Sequence, residues 1–344
     1  MKKVILILGI LTLCAFGYAD LTMTLDFSYE NTTFTNIAGG AYNFVTNKYY
    51  ACDSDDPAMP VSILNSDGTD TGNGLNISGL TFGSLNIFSM AVDSAGVIYG
   101  GGNEIATDCN LYRWKNEADA APTQQAPVGA TFFRTMDVKG TGTDTIIVNT
   151  GNGDDGPFQI FGTSDGLSFT VLETVSGIGG FKHGITMNAA GDVVFGQEGY
   201  GQEPVKAVKS GGTWSGELAT FLPDNVVLRG PTNLGYWEDR DILFCLSGRG
   251  ASDTDPLDFL SAIDGTTGAF LTSASLDKNM DAVAYTKVDL NVPDLAGGEA
   301  RIIGRNGATG GYVAAKVILS FPTPIPPTPT PIVLRANSSW GLYE

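Results

Sequence analysis

The chain has 344 residues, 45 of them glycine and only 16% of them charged, with 37 acidic against 19 basic side chains for a formal net charge of −18. So acidic a surface repels phosphate backbones and anionic membranes, which argues against a nucleic-acid partner. No stretch of a dozen residues in the body of the chain has helical amphipathicity, and beyond the first nineteen residues none is long and apolar enough to cross a membrane, so many short strands joined by tight turns are expected.

Lys2 and Lys3 precede an apolar run from Val4 to Phe16 that ends in Gly17, Tyr18 and Ala19, the charged, hydrophobic and small-residue order of a secretory signal. Residues 1–19 are therefore expected to be a signal peptide. Cys14 follows Leu13 where a lipidated signal would carry a small residue. Taking Lys2 and Lys3 from the 19 bases leaves 17 against 37 acids, so the mature chain carries about −20 by that count. An exported protein, extracellular or at a bacterial cell surface, is expected.

Residues 20–320 form the body. Leu21 to Asn31 alternates like a strand, but no partner hairpin follows it. Thereafter one hairpin pattern recurs: FSMAVDSAGVIYGG from Phe88, RTMDVKGTGTDTIIVNTG from Arg134, HGITMNAAGDVVFGQEG from His183 and NLGYWEDRDILFCLSG from Asn233. From Gly96 to Gly140 is 44 residues, from Gly140 to Gly191 is 51, and from Gly191 to Asp239 is 48. A period in the forties, all of it strand, predicts a β-propeller. Blades are expected at about 34–86, 87–130, 131–177, 178–223 and 224–278, with a sixth from Asn279 that has only three strands of its own. The orphan strand Leu21 to Asn31 supplies its fourth, which closes the ring and removes an exposed edge. The fold class is thus all-β, a six-bladed β-propeller closed by its N-terminal strand. Residues 321–332, FPTPIPPTPTPI, read as a Pro/Thr-rich polyproline linker, and residues 333–344 as a short tail, a candidate sorting or attachment tag.

At NLYRWKNEADAAPT from Asn110, TSDGLSFTVL from Thr163 and the hairpin from His183, the sequence resembles a family of uncharacterised secreted bacterial propeller-like proteins. The resemblance covers roughly Phe34 to Ser320. It implies the propeller fold, export, and a C-terminal linker with an attachment tail, and it brings no catalytic residue.

Three cysteines follow the signal. Cys245, inside ILFCLSG, reads as a small buried hydrophobe. Cys52 and Cys109 fall at matching edges of neighbouring repeats and are a candidate disulfide joining the first two blades. The single histidine, His183, aligns with Arg134 in the preceding blade and roughly with Arg229 in the next. Those three would make an anion pocket at one end of the channel, unless the arginines pair with nearby acids and His183 caps a turn. Asp53, Asp55 and Asp56 in one loop and Asp154 and Asp155 in another are candidate calcium ligands, as are Asp253 and Asp255. No EF-hand or nonapeptide spacing accompanies them, and solvated Asp/Gly turns explain them equally. A metal-dependent propeller hydrolase or lyase needs acids and amides on the inner strands, where only Asp281 and Asn233 offer themselves. With no complete catalytic constellation, the sequence favours a binding or scaffold module for a protein, a glycan or a small anion, with the hydrolase or lyase as the alternative.

Overall fold

The computed structural model describes residues 21–34, 36–53, 56, 58–82, 86–102, 109–131, 133–150, 157–178, 181, 183–197, 204–216, 227–228, 234–248, 257–280 and 287–321. Strand β1 (Thr22–Asn31) comes first and stands apart from the blade that follows it in sequence. Blade 1 is β2 (Ile37–Asn43), β3 (Lys48–Asp53), β4 (Val61–Leu64) and β5 (Asp70–Gly74). Blade 2 is β6 (Ile87–Val92), β7 (Ile98–Gly102), β8 (Leu111–Trp114) and β9 (Thr123–Gln125). Blade 3 is β10 (Met136–Lys139), β11 (Ile146–Thr150), β12 (Phe158–Thr163) and β13 (Phe169–Val175), and blade 4 is β14 (His183–Met187), β15 (Val193–Gln197), β16 (Pro204–Ser210) and β17 (Thr213–Ser215). Blade 5 divides its inner strand into β18 (Val227–Leu228) and β19 (Gly235–Trp237), both paired with β20 (Ile242–Gly248), and continues through β21 (Leu257–Asp264) and β22 (Phe270–Met280). Blade 6 is β23 (Lys287–Asp294), β24 (Gly297–Arg305) and β25 (Tyr312–Ser320), with β1 as its outer strand.

The turns that open the blades explain the period. Asn47, Gly96, Gly140, Gly191 and Asp241, one in the first hairpin of each of blades 1 to 5, all have positive φ, between 50° and 86°. Only glycine, asparagine and aspartate adopt that conformation at low cost. In blade 5 the left-handed residue is Asp241, not the Asp239 that the repeat count picks out. At Gly140 a Cβ would lie 2.1 Å from the carbonyl oxygen of Asp144, so the hairpin requires glycine there. Side chains pin the same turns: Asn43 Oδ1 accepts the backbone N–H of Val45, Asp93 Oδ1 those of Ala95 and Val97, and Asn188 Oδ1 those of Asp192 and Val193.

Burial follows position in the blade. β2 and β20 are buried at every residue, whereas β1 and the middle of β13 alternate, so inner strands read as continuous apolar runs and outer ones as alternation. Among the described residues the buried apolar side chains gather into six clusters, one between each pair of neighbouring blades. An open row of six blades would have five such interfaces. The sixth, between blades 6 and 1, packs Ile303, Tyr312 and Ala314 against Ile37, Tyr42 and Tyr49. Arg301 strengthens it, its guanidinium 4.5 Å from the centre of the Tyr42 ring and its Nη1 donating to the Ser66 carbonyl at 2.9 Å.

β1 closes the ring as expected, antiparallel to β25 from Thr22 opposite Ser320 to Asn31 opposite Tyr312, with a bulge between Leu25 and Phe27. The structure joins Cys52 to Cys109 by no disulfide: both are fully buried, Cys52 in the cluster between blades 1 and 2 and Cys109 in that between blades 2 and 3. Each packs as a small hydrophobe on its own side of blade 2. Cys245 is likewise buried, and burial pushes the thiols of Cys52 and Cys245 far above their ordinary value, so neither is a nucleophile at neutral pH.

Candidate functional site

Where the inner strands run into their first turns, the central channel opens into a cavity of about 460 Å³. Every blade contributes to it: Tyr42 and Phe44 from blade 1, Asp93 from blade 2, Asp137 and Lys139 from blade 3, Thr186 from blade 4, Tyr236 and Glu238 from blade 5, and Asp289 and Asn291 from blade 6. This convergence follows from closure, because six radial sheets present the ends of six inner strands to one axis.

At the cavity an ionic lattice crosses that axis. Lys287 on β23, only 2% exposed, reaches from blade 6 to the opposite blade 3, where its Nζ donates to Asp137 Oδ1 at 3.1 Å and to the Met136 carbonyl at 3.3 Å. Blade 4 joins through Thr186, whose Oγ1 donates to Asp137 Oδ2 at 2.8 Å. Lys139 Nζ lies 3.0 Å from the same oxygen. Asp289, two residues beyond Lys287 and 14% exposed, accepts the Tyr42 backbone N–H on Oδ2 at 2.7 Å. Its Oδ1 is 3.8 Å from Lys287 Nζ, an ion pair beyond hydrogen-bond length.

One buried lysine is thus shared by two carboxylates, and their environments push them apart. Burial raises Asp137, but Lys139 and Lys287, with the Thr186 hydroxyl, more than offset this and hold it well below the usual carboxylate range. Burial pushes Asp289 up to about 6, only partly countered by Lys287 and the Tyr42 N–H. Burial alone would lower Lys287, yet the two carboxylates raise it, so it remains an ammonium.

The sign of the pH dependence follows. Asp289 titrates higher in the folded ring than its ordinary 3.8, so its contribution to stability is full below pH 3.8 and is lost as pH rises through about 6, at most on the order of 3 kcal/mol. Asp137 has the opposite sign, and its contribution is lost only as pH falls below 3.8. In urea melts between pH 4 and pH 7, wild type should therefore lose stability relative to Asp289→Asn, with the difference levelling off above pH 7. A difference that stays constant over that range would refute the raised carboxyl.

No protein-family model matches the sequence, and no curated protein does. Solved structures match it over most of its length at low identity. A DUF4623 family protein from Bacteroides eggerthii is 12% identical with a TM-score of 0.57, over 88% of this chain and 76% of that one. A protein of unknown function from Dyadobacter fermentans is 12% identical with a TM-score of 0.53, over 87% and 99% of the two chains. A gluconolactonase from Xanthomonas campestris is 13% identical with a TM-score of 0.51, over 85% and 88%. At such identities the likeness is one of fold. The chain is a six-bladed β-propeller.

None of the sequence-derived candidates that the structure describes is among the residues lining this cavity. Half-buried Arg134 precedes β10 and His183 opens β14, so their backbones mark the strand-start end of the channel, opposite the cavity. Arg229, Asp55, Asp154, Asp155, Asp253, Asp255, Asn233 and Asp281 lie outside the described residues. Asp53 and Asp56 hold their own loop: Asp53 Oδ1 accepts the Asp56 N–H at 3.2 Å, and Asp56 Oδ1 those of Ala58 and Met59 at 2.8 and 3.1 Å. Among the described residues no three His, Cys, Asp or Glu side chains group to hold a metal. Asp137, Lys287 and Asp289 went unrecognised in the sequence. Their signal was present, since MDVK and KVDL put charges into strands that are otherwise apolar.

Proposed function

We propose that the protein is a binding module, exported by a signal peptide at residues 1–19 and displayed on the Pro/Thr linker of residues 321–332, that takes a small polar ligand in the channel-end cavity. The cavity carries this reading. It is of ligand size, has half-buried aromatic walls in Phe44 and Tyr236, and sets a few polar groups at its floor. A protein or glycan partner would reach the same mouth through the turns that ring it. A second reading, a metal-dependent hydrolase or lyase with Asn233 and Asp281 as its candidates, draws on the fold shared with the gluconolactonase and would use the opposite, strand-start end, which the backbones of Arg134 and His183 mark; with Arg229 these two remain the candidate anion pocket.

Thermal melts of residues 20–320 with calcium, small carboxylates, sugars and amines test the assignment, because a ligand bound only by the native ring raises its Tm by mass action. Ser94 and Asn291 line the cavity and are exposed, so Ser94→Trp and Asn291→Trp should fill the mouth without disturbing the core and abolish the shift. A shift that survives both substitutions moves the site to the other end of the channel. No shift from any compound sinks the small-ligand reading.

A further inference from the structure

Resting on that reading, we propose that the cavity is a site for an organic cation, an alkylammonium whose head group is held by Asp289 Oδ1 and whose carbon chain lies between Phe44 and Tyr236. Which lining groups still have hydrogen-bonding capacity decides the matter. Asp137 spends both oxygens, Oδ1 on Lys287 and Oδ2 on Lys139 and Thr186. Asp93 Oδ1 accepts two backbone N–H groups of its turn, and Glu238 Oε2 accepts that of Ala189. Asp289 uses Oδ2 on Tyr42, but among the described residues no donor lies within hydrogen-bond length of Oδ1. Asp289 lines the cavity, so an oxygen there without a protein donor can accept one from a ligand. An N⁺–H donor fills it best, because charge-assisted hydrogen bonds are the strong ones.

Charge and shape select the rest. The lining bears five acids, Asp93, Asp137, Glu238, Asp239 and Asp289, against Lys139, and adding Lys287 at the floor leaves five negative against two positive groups. An anion is opposed by that excess. A divalent metal ion needs about six oxygen ligands, whereas Asp289 Oδ1 offers one. Phe44 and Tyr236 are half-buried and suited to cover methylenes or face a cation. Glu238 and Asp239 are exposed at the mouth, where they would meet a second ammonium. A linear diamine would therefore meet acids at both ends, Asp289 at the floor and Glu238 and Asp239 at the mouth. The raised carboxyl of Asp289 agrees with this picture, since a bound ammonium would hold it ionised.

The test uses three probes matched in length: putrescine, 1,4-butanediol and succinate. Binding is read by calorimetry and by the fluorescence of Trp237, which lines the cavity. Putrescine alone should bind, and Asp289→Asn should weaken it about tenfold or more, the equivalent of one charge-assisted hydrogen bond. Asp70→Asn, on an exposed residue of the outer strand β5, should leave the affinity within about twofold, which separates the site from general attraction to an acidic surface. Asn291→Lys, which sets a positive charge at the mouth, should weaken putrescine as Asp289→Asn does and stands in for it should that variant not fold. Equal weakening by Asp70→Asn, or none by either cavity variant, overturns the inference. Binding of the diol or succinate in place of putrescine overturns the cation while leaving the cavity a binding site. Silence from all three overturns the inference, and the wider ligand panel then decides whether the cavity binds anything.

Discussion

Replacing Lys287 with methionine should destabilise the ring by roughly 3–5 kcal/mol, the usual result of removing one partner from a buried ion pair. Methionine matches the length and the apolar stem of lysine, so packing is nearly preserved and the loss is electrostatic. It leaves Asp137, 9% exposed, and Asp289 without their shared ammonium, and among the described residues Lys139 is then the one cation paired with Asp137. It also removes the donor that ties blade 6 to blade 3. The triple variant Lys287→Met, Asp137→Asn, Asp289→Asn takes away the stranded charges as well and should recover most of the loss, because burying two charges already costs desolvation that their attraction only partly returns. Denaturant melts of the wild type, single and triple variants measure both effects. A cost below about 1 kcal/mol for the single change would mean that water reaches the lattice and screens it as it does surface pairs.

Residues with local consequences were legible in the sequence. A glycine in a hairpin fixes a left-handed turn wherever the chain lies, so Gly96, Gly140 and Gly191 gave the period and the blade count before any contact was known. The orphan strand β1 was legible for a similar reason: a sixth blade with three strands and a spare strand at the other terminus complete one another. Facing and partnership were not legible. Cys52 and Cys109 occupy matching edges of neighbouring repeats, but they pack into the clusters on opposite sides of blade 2, and spacing along a strand does not say which interface a side chain enters. Lys287 and Asp137 are 150 positions apart and meet only because blades 3 and 6 of a six-membered ring are opposed. A lone charge in an apolar strand announces that it has a partner without naming it. Blade 5 showed its β19–β20 hairpin but not β18, whose two residues are too few to carry an alternating pattern.

Removing residues 20–31 should leave no monomeric folded ring. β1 spans both seams of blade 6: Met23 and Leu25 pack on the cluster shared with blade 5, and Phe27 and Tyr29 on the cluster shared with blade 1. These side chains are partly buried, at roughly 1–2 kcal/mol each, so their sum reaches several kcal/mol. That is comparable with the whole net stability of a typical domain, roughly 5–15 kcal/mol. The ladder adds a second cost, for the truncation bares one edge of β25 from Tyr312 to Ser320, a largely apolar strand then paired only with β24 and ready to pair with another chain. Because the sheet interfaces form a cycle, loosening one blade loosens two seams at once, and the damage exceeds that of trimming a short outer strand such as Thr123–Gln125 or Thr213–Ser215, which are three residues each. Size-exclusion chromatography of the truncated protein should give aggregate in place of monomer, and a peptide of residues 21–31 added during refolding should restore the monomer by occupying the vacant edge. A truncated protein that stays monomeric and melts within a few degrees of wild type would mean that the ring is held by its inner strands and the axial lattice alone, and that β1 serves only to cover an edge.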